Sequence, residues 1–390
     1  MAETSTGASS GSVAILTLGE HFASLEDPRV ERTKLHPLLS IVTIALCAVL
    51  AGAESWDDIE EFGRSKADWL GTFLPLPNGI PVHDTFNRVF QALDPKQFQA
   101  CFLSWTRAIS GVLSGVISLD GKTLRGSRDE QSGKQAIHMV SAWASVNRLV
   151  LAQVKVDAKS NEITAIPELL RALAIEGCLV TIDAIGTQRE IAGLILEQGG
   201  DYVLALKGNQ ETLYDEVVEM FESAKAGTIE ELVIENARTI EKGHGRIDVR
   251  RYKVIPDLDV LEWLQEGAEG HNWPGLKAIG MVEAERRIGD KRTTETRYYL
   301  LSTPLSAKAF GDAVRSHWGI ENSVHWLLDL AFHEDQSRIR AGHAAENFAV
   351  LRHLALNLLQ QHPIKRLSVK GRRLKAAWDN DYLLKILRSI

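Results

Sequence analysis

The stretch Cys178-Leu-Val-Thr-Ile-Asp-Ala-Ile-Gly-Thr-Gln-Arg-Glu-Ile-Ala-Gly-Leu-Ile-Leu-Glu-Gln-Gly-Gly-Asp-Tyr-Val-Leu-Ala-Leu206 decides the fold. Two continuous apolar runs, Leu179–Ile182 and Tyr202–Leu206, flank a segment of helical spacing. Apolar runs without alternation are what parallel strands covered on both faces require. The pattern predicts strands over 178–183 and 201–206 with a helix over 187–198 between them, and further helices over 165–175 and 211–225. Upstream, Val116-Ile-Ser-Leu-Asp120 reads as a strand ending in a carboxylate. Residues 136–145 and 148–157 read as two more strands, joined tightly through Asn147. Three strands with short turns make an antiparallel meander. The sum is a mixed α/β unit, a five-stranded mixed sheet flanked by helices.

The flanks differ in kind. Residues 20–110 read as helical throughout. Trp56, Ile59 and Phe62/Gly63 share one helix face, and Phe86, Val89 and Phe90 share another. Two readings stand here: a helix-turn-helix exposing Thr85, Asn87 and Arg88, or a helical cap on the main domain. Residues 229–303 alternate and are charged, which predicts a β-rich insertion with strands near Arg246–Ile255 and Arg297–Leu301. Helix returns over 306–361, with a break near Gly342. The expected domains are a tail (1–19), an all-α N-terminal domain (20–110), a mixed α/β main domain (115–362) and a basic C-terminal segment (363–390).

Composition narrows the classes. Of 390 residues, 45% are hydrophobic and 24% charged, which excludes wholesale disorder. Cys47, Cys101 and Cys178 form no CxxC pair, which excludes a disulfide framework and a thiolate zinc site. Leu35–Ala53 is uncharged over 19 residues but includes His36, Pro37, Ser40, Thr43 and Gly52, so it reads as a buried core helix rather than a membrane span. No basic region precedes an apolar core at the N-terminus, and the cytoplasm is the expected compartment. Gly7-Ala-Ser9-Ser-Gly11 matches a hydrolase nucleophile pattern without its strand and helix. Asp120-Gly-Lys-Thr lacks the upstream glycine of a phosphate loop, having Val116 there.

The carboxylates carry the chemistry. Asp120 and Asp183 close two strands that lie side by side if the first parallel strand pairs with the first strand of the meander. Glu321, on the helix Arg315-Ser-His-Trp-Gly-Ile-Glu-Asn-Ser-Val-His325, is the third acid. Three carboxylates offer hard oxygen ligands suited to Mg²⁺ or Mn²⁺ that also bind phosphate oxygens. Two such ions promote in-line phosphoryl displacement. His317, Glu321 and His325 are four apart, but without HExxH or a cysteine a zinc site is disfavoured.

The chain resembles DDE-type insertion-sequence transposases with a ribonuclease-H-like core, most closely the H-repeat-associated group. The resemblance rests on Ser118-Leu-Asp-Gly-Lys-Thr-Leu-Arg125, Val180-Thr-Ile-Asp-Ala-Ile-Gly-Thr-Gln188, Asp201-Tyr-Val-Leu-Ala-Leu-Lys-Gly-Asn-Gln210, Glu241-Lys-Gly-His-Gly-Arg246, His317-Trp-Gly-Ile-Glu-Asn-Ser-Val-His-Trp326 and Glu334-Asp-Gln-Ser-Arg338. It spans about residues 20–360. It implies Asp120, Asp183 and Glu321 as a metal-binding catalytic triad with two Mg²⁺ or Mn²⁺ ions. It implies cleavage at terminal inverted repeats, strand transfer to target DNA, and a homodimer assembled on DNA at the bacterial nucleoid. Relatives carry a Tyr-Arg-Glu-Lys signature on the third helix; Val314, His317 and Leu328 stand at its other positions, so its phosphate-contacting role falls to Arg315, His317 and His325. A nuclease without strand transfer and an inactive DNA-binding descendant are the competing readings.

Further DNA contacts are expected from Lys122, Arg125 and Lys207 near the strand ends, and from His244, Arg246, Arg250 and Arg251 in the insertion. Residues 242–253 hold five Lys/Arg and one Asp, and 364–390 hold eight Lys/Arg and two Asp. Each is read as a phosphate track. Trp318 and Trp326 are expected in the core, with a base-stacking platform as the alternative for Trp318. The formal net charge of −7 argues against nucleic acid only on average, since residues 209–235 alone hold eight acids and one Lys.

Overall fold

The computed structural model describes residues 19–129, 133, 135–156, 161–228, 232–243, 245–256, 262, 264 and 272–388. Its strands are β1 (Val116–Leu124), β2 (Ile137–Ala144), β3 (Leu149–Lys155), β4 (Leu179–Ile182), β5 (Asp201–Leu206), β6 (Glu235–Gly243), β7 (Arg246–Ile255), β8 (Ala278–Ile288) and β9 (Lys291–Leu301). They form one sheet in the order β3-β2-β1-β4-β5-β9-β8-β7-β6. β1, β4 and β5 are parallel to one another, and the other neighbours are antiparallel. The first five are the expected mixed sheet. The insertion continues it, because β9 pairs with β5 from Val203↔Leu301 to Leu206↔Tyr298. An uncovered β5 would leave a row of unpaired backbone groups, and the last strand of the insertion satisfies them.

The helices are α1 (Leu38–Ala51), α2 (Trp56–Ser65), α3 (Ala67–Leu70), α4 (His83–Ala92), α5 (Pro95–Ser110), α6 (Glu162–Arg171), α7 (Arg189–Glu197), α8 (Glu211–Ala226), α9 (Ala307–Ile320), α10 (Trp326–Phe332), α11 (Ala344–Gln361), α12 (Val369–Trp378) and α13 (Asn380–Leu387). α6 starts three residues before its expected position because the Asn161 side chain accepts from Ile163 N at 3.0 Å and caps it. The face of the sheet carrying Ile117, Leu119, Val180 and Leu204 packs on α6, α7 and α8 through Leu169, Ile195 and Val217.

α9 covers the opposite face. Ala307, Phe310, Ala313 and Val314 pack on Tyr252, Val282 and Tyr299. Two glycines allow the close approach. A methyl on Gly280 would meet the Phe310 ring at 2.6 Å, and one on Gly311 would meet the Tyr252 ring at 2.9 Å.

α11 is buried along its whole length except Gln361. The core around it includes Ile44, Phe90, Phe102 and Trp105 from the N-terminal helices. Asn357 clamps the edge strand: its Oδ1 accepts from Val150 N and its Nδ2 donates to Val150 O, both at 2.8 Å. α1 is buried from Ser40 to Leu50, as its apolar run predicts, and ends at Gly52 with φ +115°. Phe86, Val89 and Phe90 of α4 face inward, with Phe90 stacked on Trp56 at 5.2 Å. Thr85 and Asn87 are half-buried and Arg88 is exposed. Among the described residues no single helix is long and apolar enough to cross a membrane.

Two expectations are corrected. β1 does not stop at Asp120. It runs to Leu124 because Leu124, Ile137 and Met139 bury with Ala345 and Ala349 of α11, and β2 pairs with β1 to that point. The basic C-terminal segment is not all available to DNA, since Arg372 and Arg373 are buried. Arg373 donates to Val49 O at 2.7 Å and to Ala53 O and Ala331 O, which caps the carbonyl end of α1. A helix end buried without a cationic or backbone partner would leave orphan carbonyls, and this guanidinium supplies one.

Candidate active site

The register of the parallel pair places the acids. Leu119 pairs with Ile182, so Asp120 and Asp183 are the next residues along neighbouring strands. Asp120 Oδ1 accepts from Gly121 N at 2.9 Å. β4 ends at Ile182, and Asp183 turns the chain by accepting from Ile185 N at 3.2 Å. This is the carboxyl edge of a parallel pair, where α/β sheets bind ligands.

Polar contacts dock α9 above this edge. Ser118 Oγ donates to Ser316 O at 3.2 Å, Thr181 Oγ1 donates to Ser118 Oγ at 3.1 Å, and His317 Nδ1 lies 3.1 Å from Thr181 Oγ1. Glu321 follows at the end of α9 and opens a π turn, Glu321–His325, that leads into α10. Single π turns are frequent at functional sites. A cleft of about 180 Å³ results, with Asp120, Thr181, Asp183, Lys207, Arg297, His317, Trp318 and Glu321 among its walls.

Burial, reinforced by the Asp183 charge and by Glu162 and Glu321, pushes the Asp120 carboxyl up to about 7. Asp183 is raised by burial and then by Glu162, with Lys207 opposing. Like charges crowded together out of water resist ionising, and a divalent cation relieves them. The donor set is hard oxygen, which fits Mg²⁺ or Mn²⁺. Among the described residues no three His, Cys, Asp or Glu side chains converge closely enough to cage one ion. Such a site suits Mg²⁺, which takes one or two carboxylates and completes its shell with water and substrate phosphate.

The other expected residues divide into groups. Lys207 and Trp318 line the cleft. Trp318 is 38% exposed and stacks under Arg297 at 4.3 Å, and Trp326 is 57% exposed, so neither is core. The buried stripe here is Val314, Ile320, Val324 and Leu328, and both indoles fall outside it. His317 lines the cleft but is engaged with Thr181; burial lowers it to about 4, so it is neutral at pH 7. His325 Nδ1 stands 3.5 Å from Asp120 Oδ2, and burial, aided by Lys122, lowers it to about 4. The short distance is therefore not an ion pair at neutral pH.

Lys122, expected at the surface as a DNA contact, is turned inward. Its side chain is 11% exposed and its ammonium donates to Asp329 at 2.5 Å and Glu334 at 2.9 Å. Side chains alternate along β1, so Lys122 follows Asp120 on one face and meets α10 and the turn after it. Arg125 is exposed, 3.5 Å from Asp335.

The insertion forms a second groove of about 630 Å³ against α9, sharing Arg297, Trp318 and Glu321 with the cleft. Arg246, Arg250 and Arg315 line it. Each has an acid: Arg246 meets Asp248 at 3.1 Å, Arg250 meets Glu241 at 2.9 Å, and Arg315 meets Glu241. Arg251 is on the other face of β7, 2.6 Å from Glu283. The basic hairpin is thus partly neutralised by acids from adjoining strands. His244 lies outside the described residues.

Two contributors escaped the sequence reading. Arg297 lines both cavities. Glu162, the first residue of α6, acts on both aspartates. An acid in the first turn of a helix is ordinary, and no spacing marks it.

Comparison with known proteins shows the family. A family model described as transposase DDE domain matches residues 113–358, and one described as DDE_Tnp_1-associated matches residues 19–106. The chain is 40% identical over 377 residues to the H repeat-associated putative transposase YhhI of Escherichia coli (strain K12), covering 95% of this chain and 97% of that protein. It is 45% identical over 284 residues to an uncharacterized protein in the dhlA 3′ region of Xanthobacter autotrophicus, covering 72% and 92%. It is 44% identical over 72 residues to the inactive transposase YbfQ of E. coli K12, covering 18% of this chain and 86% of that protein.

Proposed function

The chain belongs to the transposase DDE-domain family, and from that premise we propose that it cuts DNA at the ends of its own element and joins the freed 3′-hydroxyls to target DNA. The observation that carries this reading is the register Leu119↔Ile182, which sets Asp120 and Asp183 side by side in a cleft walled by Glu321. Two Mg²⁺ or Mn²⁺ ions would be held by Asp120, Asp183 and Glu321, and would activate the attacking oxygen and steady the leaving one. The residues of this chain bind and orient. Lys207 and Arg297, at the cleft wall, draw the scissile phosphate toward the acids. Arg246, Arg250 and Arg315 continue that path along the insertion groove. Neutral His317 holds α9 to Thr181 and so fixes where Glu321 stands.

The reading includes two copies assembled on paired DNA ends. The test is incubation of the purified protein with paired terminal inverted repeats, a target plasmid and Mg²⁺. Cleaved ends and joined products are expected, both lost on the order of 1000-fold in Asp183→Asn and Glu321→Gln. Cleavage without joined products would make the protein a nuclease instead. Full activity in both variants would remove the metal triad. Sedimentation with and without the paired ends reads the number of copies.

A further inference from the structure

The insertion strands have two faces, and only one of them lines the groove beside the cleft. On that face Tyr252, Val282 and Tyr299 pack under α9. On the opposite face Ile255, Met281 and Tyr298 pack on the α8 side, with Phe221 5.8 Å from Tyr298. Beyond those three residues this outer face is open to solvent. Arg238, Lys242, Arg287 and Arg292 are exposed, and Ile240 is 53% exposed.

Strand register sorts the outer face into rows. Lys242 pairs with Ile247, Ile247 with Arg287 and Arg287 with Arg292, so three cations share one row. Ile240, Val249, Glu285 and Thr294 form the next row on this face. In the row after that, Arg238 stands opposite Arg251, followed by Glu283 and Thr296. Alternation keeps the three rows on one side of the sheet. With Lys253 beyond them, the face holds six Lys/Arg against two acids, Glu283 and Glu285.

Those acids leave the charge only partly balanced. Arg251 meets Glu283 at 2.6 Å, Arg292 meets Glu285 at 2.7 Å, and Arg287 also meets Glu285. Arg238, Lys242 and Lys253 have no ion pair among the described residues. Arg238 stands directly opposite Arg251, and Arg287 opposite Arg292. Like charges in that relation destabilise a sheet, and an anion laid across them relieves it. The two cationic rows are about 13 Å apart, four residues at ~3.3 Å each, close to the ~12 Å width of the DNA major groove. Each row can therefore meet one of two phosphate strands.

We propose that the outer face of the insertion is a second docking surface for duplex DNA, with the Lys242 row and the Arg238 row each laid along one phosphate strand. It rests on the function proposed above in taking DNA as the partner. The sheet stands between this face and the cleft, so the duplex held here is a segment other than the one being cut. Cations and threonine hydroxyls meet phosphate whatever the base, so the docking is independent of sequence.

The test places a photocrosslinker between the rows. Cys47, Cys101 and Cys178 are buried, so an aryl azide reacts at Ile240→Cys of the full chain. Val112→Cys, at a position 91% exposed, gives the background. On irradiation with a short duplex lacking the terminal repeat, Ile240→Cys should yield a DNA adduct well above that background. Adding Arg238→Gln and Lys242→Gln should lower the yield on the order of tenfold, since two phosphate contacts are lost. A background yield, or one that ignores both substitutions, while anisotropy still shows bound DNA, overturns the outer face and leaves the proposed function standing. A wild-type chain that binds no duplex at all overturns both. If the cations only guard β6, the free edge of the sheet, no adduct forms. An adduct to a second chain in place of DNA also overturns the proposal; α8, with Glu211, Asp215, Glu219 and Glu222 exposed, is the acidic surface such a copy would bring. Should the triple variant fail to fold, Ile240→Cys with Lys242→Gln alone is read in the same way.

Discussion

Lys122 Nζ stands 2.9 Å from Glu334 Oε2, and Glu334 is 2% exposed. The pair lies two residues along β1 from Asp120 and ties the strand to the segment beyond α10. Removing one member of a buried pair strands the other charge. Glu334 Oε1 also lies 3.8 Å from buried Arg352, so Lys122→Met should cost at most about 3–5 kcal/mol in urea unfolding, and adding Glu334→Leu should not recover it, because Arg352 then loses its nearest acid. A single variant with wild-type stability would show that Arg352 alone balances Glu334.

Asp120 gives a pH signature. Its folded-state carboxyl sits at about 7 against 3.8 for the ordinary group, so the folded chain holds the proton more tightly than the unfolded one. In EDTA this contribution is fully present below pH 3.8 and is lost as pH rises through 7. The elevated Asp183 carboxyl acts in the same direction. Other acids titrate too, so the comparison is with Asp120→Asn. The variant should gain melting temperature relative to wild type between pH 5 and pH 8 in EDTA, and saturating Mg²⁺ should shrink that gain. A parallel pH course for the two proteins would contradict it.

Glu241 meets both Arg315 and Arg250 in the insertion groove. A carboxylate in that place competes with a DNA phosphate for the same guanidinium groups. Glu241→Gln should strengthen DNA binding, while Arg250→Gln and Arg315→Gln should weaken it. Each arginine lost from a phosphate contact lowers the slope of log K against log salt by about 0.9. Fluorescence anisotropy across a salt series measures both effects, and weaker binding by E241Q would sink the competition.

Arg373 should behave oppositely to a DNA contact. It caps Val49 O and Ala53 O at the end of α1. Arg373→Met leaves Val49 O with only the Gly52 N–H and takes the guanidinium from Ala53 O, at a cost of about 1–3 kcal/mol. The same variant should keep the wild-type salt slope for DNA.

These contrasts show where sequence reading reached its limit. The parallel strands were legible because burial on both faces leaves unbroken runs at Leu179–Ile182 and Tyr202–Leu206. That Asp120 and Asp183 would be neighbours followed from the pairing of two parallel strands, although β1 runs on past Asp120. Spacing did not single out Glu321, since Asp312 stands on the same helix, and only the family resemblance pointed to it. That β9 would join β5 was not legible, because pairing across some hundred residues leaves no local mark. Lys122, Arg372 and Arg373 read as surface cations, since only partners distant in the chain turn them inward. Trp318 and Trp326 were misplaced for a related reason: helical spacing ignores the extra residue of the π turn between them. Glu162 stayed hidden because an acid in the first turn of a helix is ordinary.

The helix that bears Glu321 is pinned on both sides of its π turn. Ser118 and Thr181 hold α9, and Lys122 holds α10 through Asp329. An α-helix turns about 100° per residue. Deleting one residue between Glu321 and His325 would swing everything beyond by that angle. The chain would then have to abandon either the seat of Glu321 above the aspartates or the seat of Asp329 on Lys122. Length alone, with no particular side chain named, is therefore a structural requirement of these five positions.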